Sequence, residues 1–507
     1  MLSDPARQTD VEAASSLTSG SQSVGLRRSA GGSTGWLGLQ QIATALLGAA
    51  AFFLLARFLA PSAFGLLAAA GAWITLVGIF VDGGLDRALI QRPLISRGHE
   101  NVAFVASSLV GVIMCALVNI CAGILPGQQN AAIVPVIRWL SLLLVISPFA
   151  SVPEALMRRT FRYRVLSIRS IVAVAVGSVL GVACAIAGAG VWSLVVQQLS
   201  SALVSVGLVW LCSGWRPGFR FSRAEFLDIV PYGLRVLFGD VMVVLERNLD
   251  YIALAFFVSS AELGVYAVAF RVVFLVNTII VSSISRSALP VLSRVNDSST
   301  FGAAFSKTYT VAMLVTAPAF SLLIVVAPQL VTLGLGQKWV AAVPLVRLLA
   351  ISACFQAATH VVVVGLQARG APGIAARLLA IQTVAAVVII LALAPFGGLA
   401  VAIGLAIRSV LLSPFAAYYG GSRGDVPVRN MLRGLARPLV CCVFAGVAAT
   451  SVASLGLIGP VHLLGATTAF LLVYCALVRL ALWDAGQELM STARAMLVRR
   501  GQHAPAS

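Results

Sequence analysis

Five charged side chains, Arg235, Asp240, Glu246, Arg247 and Asp250, stand inside one otherwise apolar stretch, IVPYGLRVLFGDVMVVLERNLDYIALAFFV. On a helix turning by 100° per residue they fall within an arc of about 140°. From Arg235 to Asp250 they run about 22 Å along the axis. A charge deep in a bilayer costs several kcal/mol and is kept only where it faces other helices or water. The expectation is therefore a polar wall along a water-filled cleft. Arginine's planar fork suits phosphate bidentately, so the chemistry such a wall offers is anion binding. The competing reading for Arg247 and Asp250, three residues apart, is an ion pair with each other.

Other residues join this set. Arg271 lies about eight residues inside the next apolar stretch, at a depth similar to Arg247 if the two helices run antiparallel. Arg57 closes the first stretch on the same side of the membrane. Arg235, Arg247, Asp250, Arg271 and Arg57 are thus the candidate anion-binding residues, and Arg138, Arg347 and Arg408 either line the same cleft or snorkel. Asp240, Glu246 and His360 are candidates for coupling to a cation or proton; a lone histidine on an apolar helix is also a common core residue. No GxxxxGK[ST], nucleophile elbow or HExxH motif appears. The eight cysteines all lie in apolar stretches and the four histidines are scattered. A transporter with no metal and no cofactor is expected, rather than an enzyme.

The elements that must hold these residues are membrane helices. The 507 residues are 60% hydrophobic and 10% charged, with a mean hydropathy of +0.99, where a soluble domain carries roughly 25% charged residues. About fourteen stretches of roughly 20 residues are each long enough to cross a hydrocarbon core. The net charge of +18 follows a topological pattern. The N-terminal tail, the even-numbered connections and the C-terminal tail hold 27 Lys or Arg, and the odd-numbered connections hold two, Arg57 and Lys338. That asymmetry places both termini in the cytoplasm. Spread over so many loops, with no basic stripe interleaved with aromatics, the charge argues for membrane lipids and against nucleic acid.

The chain also repeats. LARFLAPSAFGLLAAA at 55–70 matches LAFFVSSAELGVYAVA at 254–269 at a constant offset of 199, with Gly65 opposite Gly264. An even span offset gives a parallel repeat, the pattern of transporters that bind substrate between two halves. The expected organisation is all-α: a polar tail at 1–34, an N-lobe of six spans at 35–213, a C-lobe of six spans at 226–419, an added helix pair at 433–482 and a tail at 483–507.

Three segments carry a family resemblance: VDGGLDRALIQRPLISRGHENVAF, NLDYIALAFFVSSAELGVYAVAFR, and SSISRSALPVLSRV followed by GQKWVAAVPLVRLLA. They resemble the Wzx-type oligosaccharide flippases, in the polysaccharide-transporter branch of the multidrug/oligosaccharidyl-lipid/polysaccharide exporter superfamily, over roughly residues 33–480. The resemblance implies a V-shaped bundle of two six-helix lobes, opening alternately inward and outward. Its implied cargo is an undecaprenyl-pyrophosphate-linked saccharide, handed on to a polymerase and chain-length regulator of the same pathway. It also points to Asp250, to Arg271, and to Asp82, Arg87 and Arg92 as a cytoplasmic gate or capture loop. Relatives often follow the NLD of this segment with a basic residue. Here it is Tyr251, so a partner for Asp250 must come from elsewhere, with Arg247 the nearest candidate. Rival readings are a drug/cation antiporter of the same fold, a lipid II flippase, and a membrane glycan polymerase or ligase. The antiporter is disfavoured because no acidic residue is expected in the apolar interiors of spans one to six, and the polymerase because no long outer loop is expected.

Overall fold

A computed structural model describes residues 35–92, 94–124, 130–218, 222–292, 298–423, 428–453 and 460–481. Helix α1 (Gly35–Phe58) leads to α2 (Pro61–Asp82), a short α3 (Leu85–Gln91) and α4 (Arg97–Cys121). The fourth apolar run, Ala132–Arg159, is segmented into α5 (Asn130–Leu140), α6 (Leu142–Ile146) and α7 (Pro148–Arg159). Pro135 and Pro153 sit inside α5 and α7, where each removes a helical donor, and the run breaks at Ser141 and Ser147. Helices α8 (Tyr163–Ile186), α9 (Val191–Ser213), α10 (Arg223–Phe257), α11 (Ser260–Leu292) and α12 (Ser298–Gln329) follow. A π-helical turn, Leu330–Leu335, extends α12. The chain then builds α13 (Ala342–Ala368), α14 (Pro372–Leu393), α15 (Gly398–Arg423), α16 (Val428–Ala453) and α17 (Pro460–Ala481).

Among the described residues, 13 helices or helix runs are long and apolar enough to cross a membrane. Helix α10 spans 35 residues, but its charges keep it out of that set, so the expected count of about fourteen depends on how α10 is treated. Large apolar side chains such as Leu211 and Leu480 (82% exposed each) and Ile120 (74%) point outward. On a soluble protein apolar cover of that extent is an aggregation surface, and in a bilayer it faces acyl chains. The chain is a multi-pass membrane protein.

The helices gather into two compact units whose limits fall inside helices. One unit takes α1 up to Leu55, the chain from Trp73 in α2 through α9, and α10 up to Leu245. The other takes Ala56–Ala72, α10 from Glu246 onward, and α11 to α17. In the first unit Ala88, Leu89, Val102, Phe104, Val152 and Ile229 form a core that joins α3, α4, α7 and the start of α10. In the second, α13 is the central helix, 67% of its apolar window buried. Its even apolarity on every side is the pattern of a helix surrounded by others, here α11, α12, α14 and α15. Helices α16 and α17 pack on α12, where Tyr474 donates to the Leu314 carbonyl at 2.9 Å.

Candidate functional site

The connection from α2 to α4 carries the densest polar assembly. Ser96 caps α4: its hydroxyl accepts from the His99 N–H, and the Ser96 N–H donates to His99 Nδ1 at 3.2 Å. This reciprocal cap satisfies two otherwise orphaned donors. It also turns Nε2 toward Asp228 Oδ2 and Arg92 Nη1, 3.1 Å from each. Arg92 meets both oxygens of the same carboxylate with its two terminal nitrogens. One helical turn earlier, Glu225 accepts from Ser96 Oγ at 2.6 Å. A side chain at Gly98 would collide with the Glu225 carboxylate. Further along α10, Asp240 accepts from Arg87 at 2.8 Å. Glu225 and Asp228 belong at the start of α10, where its N-terminal partial charge favours carboxylates. Asp228 lies one residue before the apolar stretch, and Arg92 first, then His99, hold its carboxyl below the usual carboxylate range.

The chain around Arg92 is itself fixed. Arg159 donates to the Leu89 carbonyl at 3.1 Å and to that of Arg92. Gly84 takes a left-handed conformation (φ 68) where α3 begins, and a methyl there would come within 2.8 Å of the Gly233 carbonyl on α10.

Of the expected gate residues, Arg87 and Arg92 are therefore both paired to α10. Asp82 instead lines a cavity of about 290 Å³ with Asp86, Glu154, Arg158, Ser147 and Ser151. Glu154 corrects the expectation that spans one to six are free of carboxylates: the fourth run continues through Pro153 to Arg159 and contains it. It bridges Arg158 and Arg169 at 2.6 Å each.

The charges on α10 do not share one environment, as the expected polar wall required. Arg235, Glu246 and Arg247 are exposed, Asp240 is paired, and Asp250 is buried (4%). Asp250 accepts from the Tyr266 hydroxyl and from the Tyr251 N–H, both at 2.9 Å. The competing reading, a pair with Arg247, is not among its contacts. Arg271 is exposed on α11 and His360 on α13. Arg408 is buried on α15, donating to the Gln382 carbonyl at 2.9 Å.

Arg57 does something else. It donates to the carbonyls of Leu333 (2.6 Å) and Gly334 (3.4 Å), beyond the end of α12. Lys338 donates in return to the carbonyls of Arg57 (2.8 Å) and Leu59 (2.7 Å) at the end of α1. The buried Trp339 donates to Ala56 O at 2.9 Å and packs edge-on against Phe64. Helix C-termini expose carbonyls and negative partial charge, and here each cation caps the other's helix end. Sequence reasoning missed His99, Glu225, Asp228, Glu154, Tyr266 and Trp339 as functional neighbours. The charge count singled out Lys338 and Arg57 without showing that they meet.

Comparison with known proteins fits an all-helical, charge-bearing membrane fold of this kind. The chain belongs to the polysaccharide biosynthesis protein family, whose model matches residues 54–344, more than half of its length. It is 25% identical over 324 residues to the lipopolysaccharide biosynthesis protein WzxC of Escherichia coli, covering 62% of this chain and 65% of that one. It is 24% identical to the succinoglycan biosynthesis transport protein ExoT of Rhizobium meliloti, covering 63% and 65%. The teichuronic acid biosynthesis protein TuaB of Bacillus subtilis is 24% identical, covering 54% and 57%. The matches thus span 57% to 65% of the length of these relatives. The fold is similar to that of the lipid II flippase MurJ in an inward closed conformation, with a TM-score of 0.72 at 12% identity, covering 88% of this chain and 99% of MurJ. An inward-facing multidrug-resistance MATE transporter follows, at a TM-score of 0.56 and 15% identity, covering 76% and 98%.

Proposed function

We propose that this protein is a secondary transporter of the bacterial inner membrane, with both termini in the cytoplasm. It turns undecaprenyl-diphosphate-linked oligosaccharide from the inner to the outer leaflet for exopolysaccharide or O-antigen assembly. It acts by alternating access, catalyses no covalent step, and hands its cargo to a polymerase and chain-length regulator. The family and the relatives concerned with polysaccharide biosynthesis and transport support this reading. One observation carries it: Arg235, Arg247 and Arg271, set well inside long apolar helices, are exposed residues. Hydrocarbon does not solvate such groups, so they require water and an anion, and a diphosphate suits arginine's fork.

A cation antiporter of the same fold has one observation in its favour, the cavity that Asp82, Asp86 and Glu154 line. One experiment separates the two. In a deletion strain, surface polymer and undecaprenyl-linked oligosaccharide are quantified after complementation with wild type, Arg271→Ala or Arg247→Ala. The flippase reading expects polymer lost in the deletion, lipid-linked units accumulating on the inner leaflet, and rescue by wild type alone. Normal polymer in the deletion, with new sensitivity to cationic drugs, would favour the antiporter.

A further inference from the structure

Helix α13 is enclosed by its neighbours, yet it stays open along one line. Between Leu349 and Ala368 its exposed residues are Gln356, His360 and Gln367, all three polar. Spacings of four and seven residues bring them within about 40° of one another, over about 16 Å of helix. Helix α14 shows what a line facing acyl chains looks like: Ile381, Val384, Val388 and Leu391, each 46% to 62% exposed. Hydrocarbon offers a carboxamide or an imidazole nothing to bond, so the line on α13 faces water.

Gln356 is held from behind. Its Nε2 donates to the Ser352 hydroxyl at 2.9 Å, Ser352 and Ser409 share a hydrogen bond of 2.9 Å, and Ser409 donates to the Leu405 carbonyl at 2.9 Å. Both serines are buried. This relay commits the amide nitrogen inward and leaves Oε1 to accept from outside. A carboxamide offers donors and an acceptor, and a neutral imidazole one of each. A phosphate only accepts, so it would leave Gln356 Oε1 without a donor. An inorganic cation would want carboxylates, and α13 carries none. Hydroxyl groups both donate and accept, and they match the line. Gln367 stands at the end of α13 that leads to Arg369, the cytoplasmic side of the proposed topology, and Gln356 near the middle of the span. The line thus runs inward from the leaflet on which the cargo is loaded.

We infer that Gln356, His360 and Gln367 form a strip that binds the uncharged sugar rings of the cargo through their hydroxyl groups, separately from the arginines that hold its diphosphate. This rests on the proposed function for the cargo being lipid-linked saccharide, and it gives His360 a binding role in place of coupling. Ser409 is a positioning residue, acting through Ser352 on Gln356.

The test titrates the full chain, in nanodiscs of neutral phosphatidylcholine, with two probes: undecaprenyl diphosphate, and the undecaprenyl-linked oligosaccharide purified from the deletion strain. Wild type should bind the saccharide-bearing probe at least about ten-fold tighter. Gln356→Leu and Gln367→Leu should each weaken that probe about two- to ten-fold, the range for one hydrogen bond between neutral groups. Both should bind undecaprenyl diphosphate as wild type does, which also shows that they are folded. Ser409→Ala should reproduce part of the Gln356→Leu loss and add nothing to it in the double variant. His360→Gln, which keeps a donor and an acceptor, should retain the preference that His360→Leu reduces. Equal affinity of wild type for the two probes, or leucine variants that lose nothing on the saccharide-bearing one, would overturn the strip and leave the functional reading intact. Parallel loss of both probes in every variant would overturn it as well. No binding of either probe to wild type, or no lipid-linked units in the deletion strain, would overturn both readings.

Discussion

Gly65 of α2 and Gly264 of α11, equivalent positions of the internal repeat, lie backbone against backbone. A methyl at Gly65 would overlap the Ser260 carbonyl and reach within 2.8 Å of the Gly264 nitrogen. A methyl at Gly264 would overlap the Pro61 carbonyl and reach within 3.0 Å of the Gly65 nitrogen. Pro61 and Ser260 are themselves equivalent, so the contact is reciprocal, and two helices that match in sequence cross at the matching glycine. Close crossing through small residues is the usual way membrane helices gain packing without a hydrophobic driving force.

Gly65→Ala and Gly264→Ala should therefore destabilise alike, each by about 1–3 kcal/mol, the range for overpacked cores. Gly71→Ala, whose methyl meets nothing within 4 Å, should leave stability unchanged. Fluorescence-monitored unfolding in detergent measures all three. A neutral Gly65→Ala would mean the helices cross elsewhere.

The clasp at the ends of α1 and α12 gives a graded expectation. Trp339→Ala removes a fully buried aromatic and its bond to Ala56 O, which should cost about 3–5 kcal/mol. Lys338→Met keeps the aliphatic stem and removes only the cap on two carbonyls, a loss of about 0.3–2 kcal/mol by the helix-end scale. Arg57→Ala should fall in the same range as Lys338→Met. If Arg57→Ala left stability untouched while abolishing polymer export, its bonds to Leu333 and Gly334 would be incidental and its expected role in cargo binding would return.

The contrast between these residues shows what a sequence makes visible. Helices were legible because each crossing needs an apolar run of fixed length, and Arg57 and Lys338 stood out as the basic residues of the poorly charged side. Their meeting was not legible, because a bond between residues 281 positions apart leaves no local pattern. The same holds for Arg92 with Asp228 and Arg87 with Asp240, separated by 136 and 153 positions. Glu154 was misplaced for a different reason: Pro153 and the paired arginines Arg158 and Arg159 read as a loop, although the helix continues through them. The Gly65/Gly264 match was visible because both partners sit inside the repeat.

Asp250 offers a direct test of which partner matters. Tyr266→Phe deletes the hydroxyl and leaves a buried carboxylate with the Tyr251 N–H still donating to it, which should cost about 1–3 kcal/mol. In a double-mutant cycle Tyr266→Phe and Asp250→Asn should couple by about 0.5 kcal/mol or more, and Arg247→Ala and Asp250→Asn should add independently. Coupling between Arg247 and Asp250 instead would restore the ion pair suggested by their spacing.

Acid should loosen the contact between the α2–α4 connection and α10, with a sign fixed by Asp228. Its carboxyl is held below the usual range by Arg92 and His99. A depressed carboxylate contributes stability that is fully present above the unfolded value, about 3.9, and is lost as pH falls through the lower folded value. The distance between spin labels attached at the exposed positions Gln91 and Leu227, read by pulsed spin resonance, should therefore stay constant from pH 8 to pH 5 and lengthen below pH 4. In Asp228→Asn this acid-dependent change should be smaller, because only Glu225 and Asp240 then remain as carboxylates of α10 facing the connection. A midpoint above pH 5 in wild type, or an unchanged acid transition in Asp228→Asn, would show that another group governs the contact. High salt provides an independent check: the Arg92–Asp228 pair is exposed and screened, so raising ionic strength at pH 7 should lengthen the same distance in wild type more than in Asp228→Asn.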